Sequence, residues 1–195
     1  SMSVSRITAF GSPEIEREFT RPKRVTAASG GPYTSGMVAL VPTEADAARL
    51  AYEGGLPAHE LHTTALFLGE ADQYDTDTQK SIVEAAAQGA ANFSPIEADI
   101  FSVSMFNPTS EFACWVLGVG GEDVMNLRHA VNEPIWGLDL DDKIPEQHKP
   151  WVPHITITYS NDRTLIDDMV ERIGSITFDR VRVAFAESEV SDIWL

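Results

Sequence analysis

Basic side chains are scarce in this sequence: 14 Lys and Arg stand against 30 Asp and Glu, a net −16 over 195 residues. The shortage is uneven. Residues 1–35 carry five basic and three acidic side chains, a net +2, which leaves nine against 27, or −18, on the remainder. Long nucleic acids are held chiefly by Lys and Arg on their phosphates. A body this acidic therefore argues against a long duplex or strand as partner, while leaving room for a small anion in a local pocket. Cysteine is scarcer still. The lone Cys114 cannot close an internal disulfide, and its neighbours Ala113, Trp115 and Val116 suit a buried thiol better than a nucleophile. Also missing are any apolar run of about 18 residues and any basic-then-apolar leader, which speaks against membrane insertion or secretion and for the cytoplasm. Ser1-Met2-Ser3 reads as an expression scar.

What remains is ordinary for a folded chain. With 43% hydrophobic and 23% charged residues, neither wholesale disorder nor a fibrous repeat is a sensible expectation, and the length suits one core. Residues 1–35 mix Pro, Gly, Ser and charges and end in Ala28-Ser29-Gly30-Gly31-Pro32, the pattern of an arm and linker; one short strand is allowed at 6–10. A single domain then spans 36–195. It opens on the strand-length run Met37-Val38-Ala39-Leu40-Val41, and Thr43 caps a helix that stops at Gly54-Gly55. A strand follows over 61–69, a helix over 76–91, and a hairpin of 96–105 and 112–119 around Asn107-Pro108-Thr109-Ser110. A helix over 122–133, the acidic loop 139–142, a second strand over 151–159, a helix over 164–173 and terminal strands from about 175 complete a mixed α+β pattern in two loosely similar halves.

Both middle strands carry a histidine followed two residues later by threonine, His62 with Thr64 and His154 with Thr156. Side chains alternate along a strand, so i and i+2 share a face and each pair sets an imidazole beside a hydroxyl. Two such strands lining one cleft suit phosphodiester cleavage. One neutral imidazole withdraws a proton from the attacking oxygen, the other protonates the leaving oxygen, and the hydroxyls donate to the non-bridging oxygens as charge builds there. No metal or cofactor is called for. A lone histidine on a strand is usually a plain core or surface residue, so the weight rests on the repetition; His59, His129 and His148 have no such pairing and read as surface residues. A metal set drawn from His59, Glu60, His62, His148 and His154 lacks the i, i+4 helical spacing of zinc proteases.

His62-Thr63-Thr64-Ala65-Leu66-Phe67-Leu68-Gly69 and Pro153-His154-Ile155-Thr156-Ile157-Thr158-Tyr159 resemble the paired His-x-Thr motifs of the 2H phosphoesterase superfamily, the 2′-5′ RNA ligase-like and cyclic phosphodiesterase proteins. The likeness spans roughly 36–195, and the flanks of both motifs are similar to actinobacterial and phage-encoded members. The resemblance implies a bilobal fold in which two antiparallel sheets line a central groove with helices packed outside, and it puts His62, Thr64, His154 and Thr156 in the catalytic positions. It further implies a substrate among 2′,3′-cyclic phosphate ends, 2′-5′ linkages, cyclic ADP-ribose phosphate and cyclic oligonucleotide signals. The chain departs from several relatives in one respect. They set a cation shortly after the second motif, whereas here Thr158, Tyr159, Ser160 and Asn161 follow and Arg163 is the first cation. Lys149, Arg163 or a residue of the arm are then the candidates for holding phosphate, and Trp151 and Tyr159 are candidates for stacking on a base, with simple packing the alternative. The competing function is a non-catalytic module that sequesters a nucleotide or serves as a phage structural accessory. Such a binder has no need of two groups that titrate near neutrality.

Overall fold

The computed structural model describes residues 34–195. The expected arm, apart from its last two residues, and the strand expected at 6–10 lie outside the described residues. Strand β1 (Ser35–Pro42) is buried along its whole length, as an apolar run without polar alternation should be. Thr43 then caps helix α1 (Glu44–Leu50): its Oγ accepts the Asp46 backbone N–H at 3.1 Å, a contact worth about 1 kcal/mol. Strand β2 (Thr63–Glu70) starts two residues later than the expected Leu61, so His62 sits immediately ahead of it. Helix α2 (Thr76–Ala90), the hairpin of β3 (Ile96–Phe106) and β4 (Cys114–Gly120), helix α3 (Glu122–Trp136) and strand β5 (His154–Tyr159) follow. Helix α4 (Ile166–Val170), β6 (Gly174–Phe185) and β7 (Glu189–Trp194) complete the order.

Helix α1 ends at Leu50, short of the expected Gly54-Gly55 stop, with Ala51 already extended; two further helices differ from expectation, each for a packing reason. Over 164–173 the chain forms a 3-10 turn, Arg163–Leu165, and then only the short α4. Met169 is buried there while Ile166, Val170 and Ile173 are exposed, and a segment that buries one side chain has little to sustain extra turns. Helix α3 instead continues past the expected end at 133 and through Pro134. Proline has no N–H for the Ala130 carbonyl four residues back, but Val131 and Ile135 are fully buried and hold the last turn on the core. At the same place Gly89 of α2 lies so close that a Cβ on it would collide with the Ala130 carbonyl. The two helices cross at that glycine.

The strands are antiparallel and run in the order β2-β1-β6-β3-β4-β5, with β7 on β6. Where two sheets were expected, the described strands form one seven-stranded sheet, and β6 is what joins its halves. The first part of β6, through Phe178, pairs with β3; the remainder pairs with β1 on one side and β7 on the other. Phe178 itself opposes both Pro42 and Ile96. Alternation along β1 separates two apolar clusters. Val38 and Leu40 point into the large core shared with α2 and α3, and Met37 and Ala39 point into a small one with Phe67, Cys114, Val116 and Ala184. Fully buried Phe67, Phe178 and Leu40 each contribute about 1.5–3 kcal/mol of burial. Among the described residues no helix is long and apolar enough to cross a membrane.

Candidate active site

The two motif strands are the ends of the strand order, yet β2 and β5 touch each other. Sheet twist and coiling bring the outer strands together. Register then fixes which side chains meet. Thr64 opposes Ala39, Thr156 opposes Val116 and His154 opposes Gly118. Directly paired residues share a face, and Ala39 and Val116 both belong to the small cluster. Thr64, Thr156 and His154 therefore project from the face opposite the helical core.

Each motif is followed at once by a break in the ladder. Ala65 is skipped between the Thr64–Ala39 and Leu66–Val38 pairs, and Ile157 between the Thr156–Val116 and Thr158–Trp115 pairs. A bulge bends its strand and re-aims the neighbouring side chain, and here both bulges fall one residue after the motif threonine. Their carbonyls, freed from the ladder, find other donors. Arg128 Nε (3.1 Å) and Asn132 Nδ2 (3.0 Å) donate to the Ala65 oxygen, and the Leu56 backbone N–H (2.9 Å) donates to the Ile157 oxygen. Gly55 makes the second contact possible, since a Cβ on it would stand 2.7 Å from that same oxygen.

The histidines are oriented alike. His62 Nδ1 lies 2.7 Å from the Glu60 carbonyl oxygen and His154 Nδ1 lies 2.7 Å from the Val152 carbonyl oxygen, each two residues back. A carbonyl only accepts, so each Nδ1 keeps its proton and Nε2 is the nitrogen that gains or loses one, holding the lone pair when the ring is neutral. Both rings are buried, as are Thr64 and Thr156. Phe106 meets the His154 ring edge-on, with centroids 4.9 Å apart. Burial pushes the His154 pKa down to about 4, partly opposed by its bond to Val152, so this imidazole is neutral at pH 7.

Of the expected substrate contacts, Trp151 comes to the site. Its Nε1 donates to the Thr64 carbonyl at 3.1 Å, tying the approach to the second motif onto the threonine of the first. One face of its ring is already taken by the Arg128 guanidinium, 4.3 Å from the ring centre. Tyr159 opposes Cys114 and packs against both apolar clusters. Lys149 and Arg163 are exposed, and among the described residues neither side chain makes a hydrogen bond or ion pair. His59 and His129 are exposed, the latter 3.3 Å from Glu133 one helical turn on. His148, expected to be a plain surface residue, lines a small cavity with Thr64, Arg128 and Trp151. Among the described residues no group of three or more His, Cys, Asp or Glu is placed to hold a metal.

Two arginines near the motifs carry no local sequence signal. Arg128 sits on α3, 63 residues along the chain from the Ala65 carbonyl that it binds. Arg182, 4% exposed, opposes Ala39 on the same face as Thr64. Its Nε and Nη2 bind Asp192 at 2.7 and 3.1 Å, and its Nη1 donates to the His59 carbonyl at 3.3 Å, next to the carbonyl that orients His62.

Residues 39–195 match the model of the 2′-5′ RNA ligase superfamily. Among solved structures, the fold is similar to TT0787 of Thermus thermophilus, with a TM-score of 0.57 and 18% identity over 82% of this chain and 98% of that one. A protein described as a phosphoesterase gives 0.53 and 16% over 85% and 96%. E. coli LigT complexed with 3′-AMP gives 0.52 and 15% over the same shares. No curated protein matches the sequence.

Proposed function

As the chain belongs to the 2′-5′ RNA ligase superfamily, we propose that it is a metal-independent phosphodiesterase in which His62 and His154 share acid and base work on a small cyclic or 2′-5′-linked nucleotide. The observation that carries this reading is the matched pair of imidazoles. Each is oriented through Nδ1 by the carbonyl two residues back, and each precedes by two residues a threonine on one of two touching strands. Structural histidines have no reason to repeat that arrangement.

On a 2′,3′-cyclic phosphate, His154 is the base. Its neutral Nε2 takes a proton from water as the water oxygen bonds to phosphorus. His62, carrying a proton on Nε2, passes it to the ribose oxygen as the phosphorus–oxygen bond breaks. Thr64 and Thr156 donate to the non-bridging oxygens as their charge grows. The product is a nucleoside monophosphate, and exchange of one proton each with solvent resets the pair. The 3′-AMP bound by LigT is a nucleotide of that size. The −18 body favours such a ligand over long RNA.

The test is turnover of 2′,3′-cyclic nucleotides, cyclic dinucleotides and 2′-5′ dinucleotides in EDTA by the wild type, His62→Ala and His154→Ala. Loss of at least about 100-fold in each variant is expected, in keeping with the contribution of a positioned acid or base. Equal turnover by all three proteins, or tight nucleotide binding without turnover by the wild type, would reject the enzymatic reading.

A further inference from the structure

We propose that Phe101 is the platform on which the nucleobase of the substrate stacks while its phosphate lies at His154 and Thr156. The inference deepens the phosphodiesterase reading and rests on it for a nucleotide as the ligand.

A break in the hairpin brings this ring to the face of the motifs. Ile100 opposes Val119 and Ser102 opposes Gly118, so Phe101 is skipped between them. Such a bulge re-aims its side chain. Ile100 points into the large core, whereas the Phe101 ring lies beside Gly118 and Gly120, where a Cβ would stand 3.4 and 3.1 Å from it. Gly118 is also the direct partner of His154 on the neighbouring strand. Directly paired residues share a face, so the phenyl ring and the imidazole stand on one face of the sheet. Between them the Ser102 hydroxyl takes the space that a side chain on Gly118 would need, which leaves a low floor. Two strand spacings separate β3 from β5, about 10 Å. A ribose with phosphorus at one end and a base at the other bridges a gap of that order.

The other aromatic faces nearby are taken. Arg128 covers Trp151, and Arg180 covers Trp194. Tyr159 packs against both apolar clusters, and Phe106 meets His154 edge-on. Phe101 is 62% exposed, and among the described residues it has no ring or cation contact. A single exposed aromatic is ordinary on a protein surface. One held at a bulge beside the partner of a buried histidine offers its π-face to whatever that histidine binds. Every base has a π-face, so stacking accepts them all. The ring therefore rewards the presence of a base, and a purine over a smaller pyrimidine, without choosing between adenine and guanine.

Calorimetry on the whole chain with 3′-AMP, 3′-CMP and inorganic phosphate, the last by displacement of 3′-AMP, tests the proposal without turnover. Phe101→Ala is expected to weaken 3′-AMP about tenfold, 3′-CMP less, and phosphate by less than about twofold. Phe101→Trp should keep the affinity, and Phe101→Leu, apolar but without a π-face, should lose it. With 2′,3′-cyclic AMP, F101A should raise KM and leave kcat and its pH profile in place. Near-UV circular dichroism checks that each variant is folded, and if F101A is not, F101L against F101W decides. Unchanged 3′-AMP affinity in folded F101A overturns the proposal, as do equal losses for phosphate and 3′-AMP or wild-type affinity in F101L. So does a wild type that binds 3′-AMP no better than phosphate. A wild type that sediments as a dimer and an F101A that sediments as a monomer, with nucleotide binding intact, also overturns it and assigns the ring to a contact between copies. 3′-AMP held through Phe101 by a protein that cleaves no diester would sink the phosphodiesterase reading and leave the stacking site standing.

Discussion

At the scale of single residues, the most informative atom is His154 Nε2. With the ring pushed to about pKa 4, its neutral form persists far below the roughly 6.5 of a free histidine. The limb of kcat/KM that reports the base is therefore expected to bend near pH 4 to 5, read on a cyclic nucleotide between pH 3.5 and 8; a bend at 6.5 would remove His154 from that role. The same shift bears on stability. A folded-state pKa below the unfolded one means that the unfolded chain binds more protons between about pH 4 and 6.5. The contribution is fully present above 6.5 and is lost as pH falls toward 4, in total about 3 kcal/mol. Urea unfolding of His154→Asn at pH 7 and pH 4.5 should show a shallower pH dependence than the wild type. At this scale the sequence was legible where an arrangement is local: the two matched His-x-Thr spacings can be read directly, and each pair stands at the start of its strand. Arg128 and Arg182 reach the backbone beside the first motif from a helix and from a distant strand, and no short pattern records that.

At the scale of elements, apolar runs, caps and the hairpin placed most strands and helices within a few residues, because local chemistry governs them. Thr43 caps α1 as its position implies. What went unread depends on tertiary contact. Pro134 looks like a stop, yet α3 runs through it because Val131 and Ile135 are buried; the stretch 164–173 looks helical, yet Met169 alone anchors it. The twin bulges after Thr64 and Thr156 leave no mark in composition and are visible only as skipped partners. Gly89 offers a test of such a contact. Alanine is the better helix former by about 1 kcal/mol, so Gly89→Ala would stabilise an isolated helix. Against the Ala130 backbone its Cβ has no space, and forced overpacking costs about 1–3 kcal/mol. A net loss of stability in urea is expected; a gain would mean that α2 and α3 separate freely.

At the scale of the whole molecule, charge and topology set the terms. An excess of 16 negative charges should keep a 30-base-pair duplex from being retained in a gel shift at 0.15 M salt, since few lysines and arginines are present to displace its counterions. Retention there would overturn the small-ligand reading. The α+β class was legible from the alternation of strand and helix patterns. That the halves share one sheet was not, because only the pairing of β6 with both β1 and β3 reveals it. That strand has a consequence for biogenesis. When a ribosome has released everything up to β5, the edges of β1 and β3 that will receive β6 are still bare, and Val38 must wait for Val183. Such distant pairings slow folding. Neither half can mature early, and the nascent chain stays exposed to aggregation and proteases until β6 has emerged.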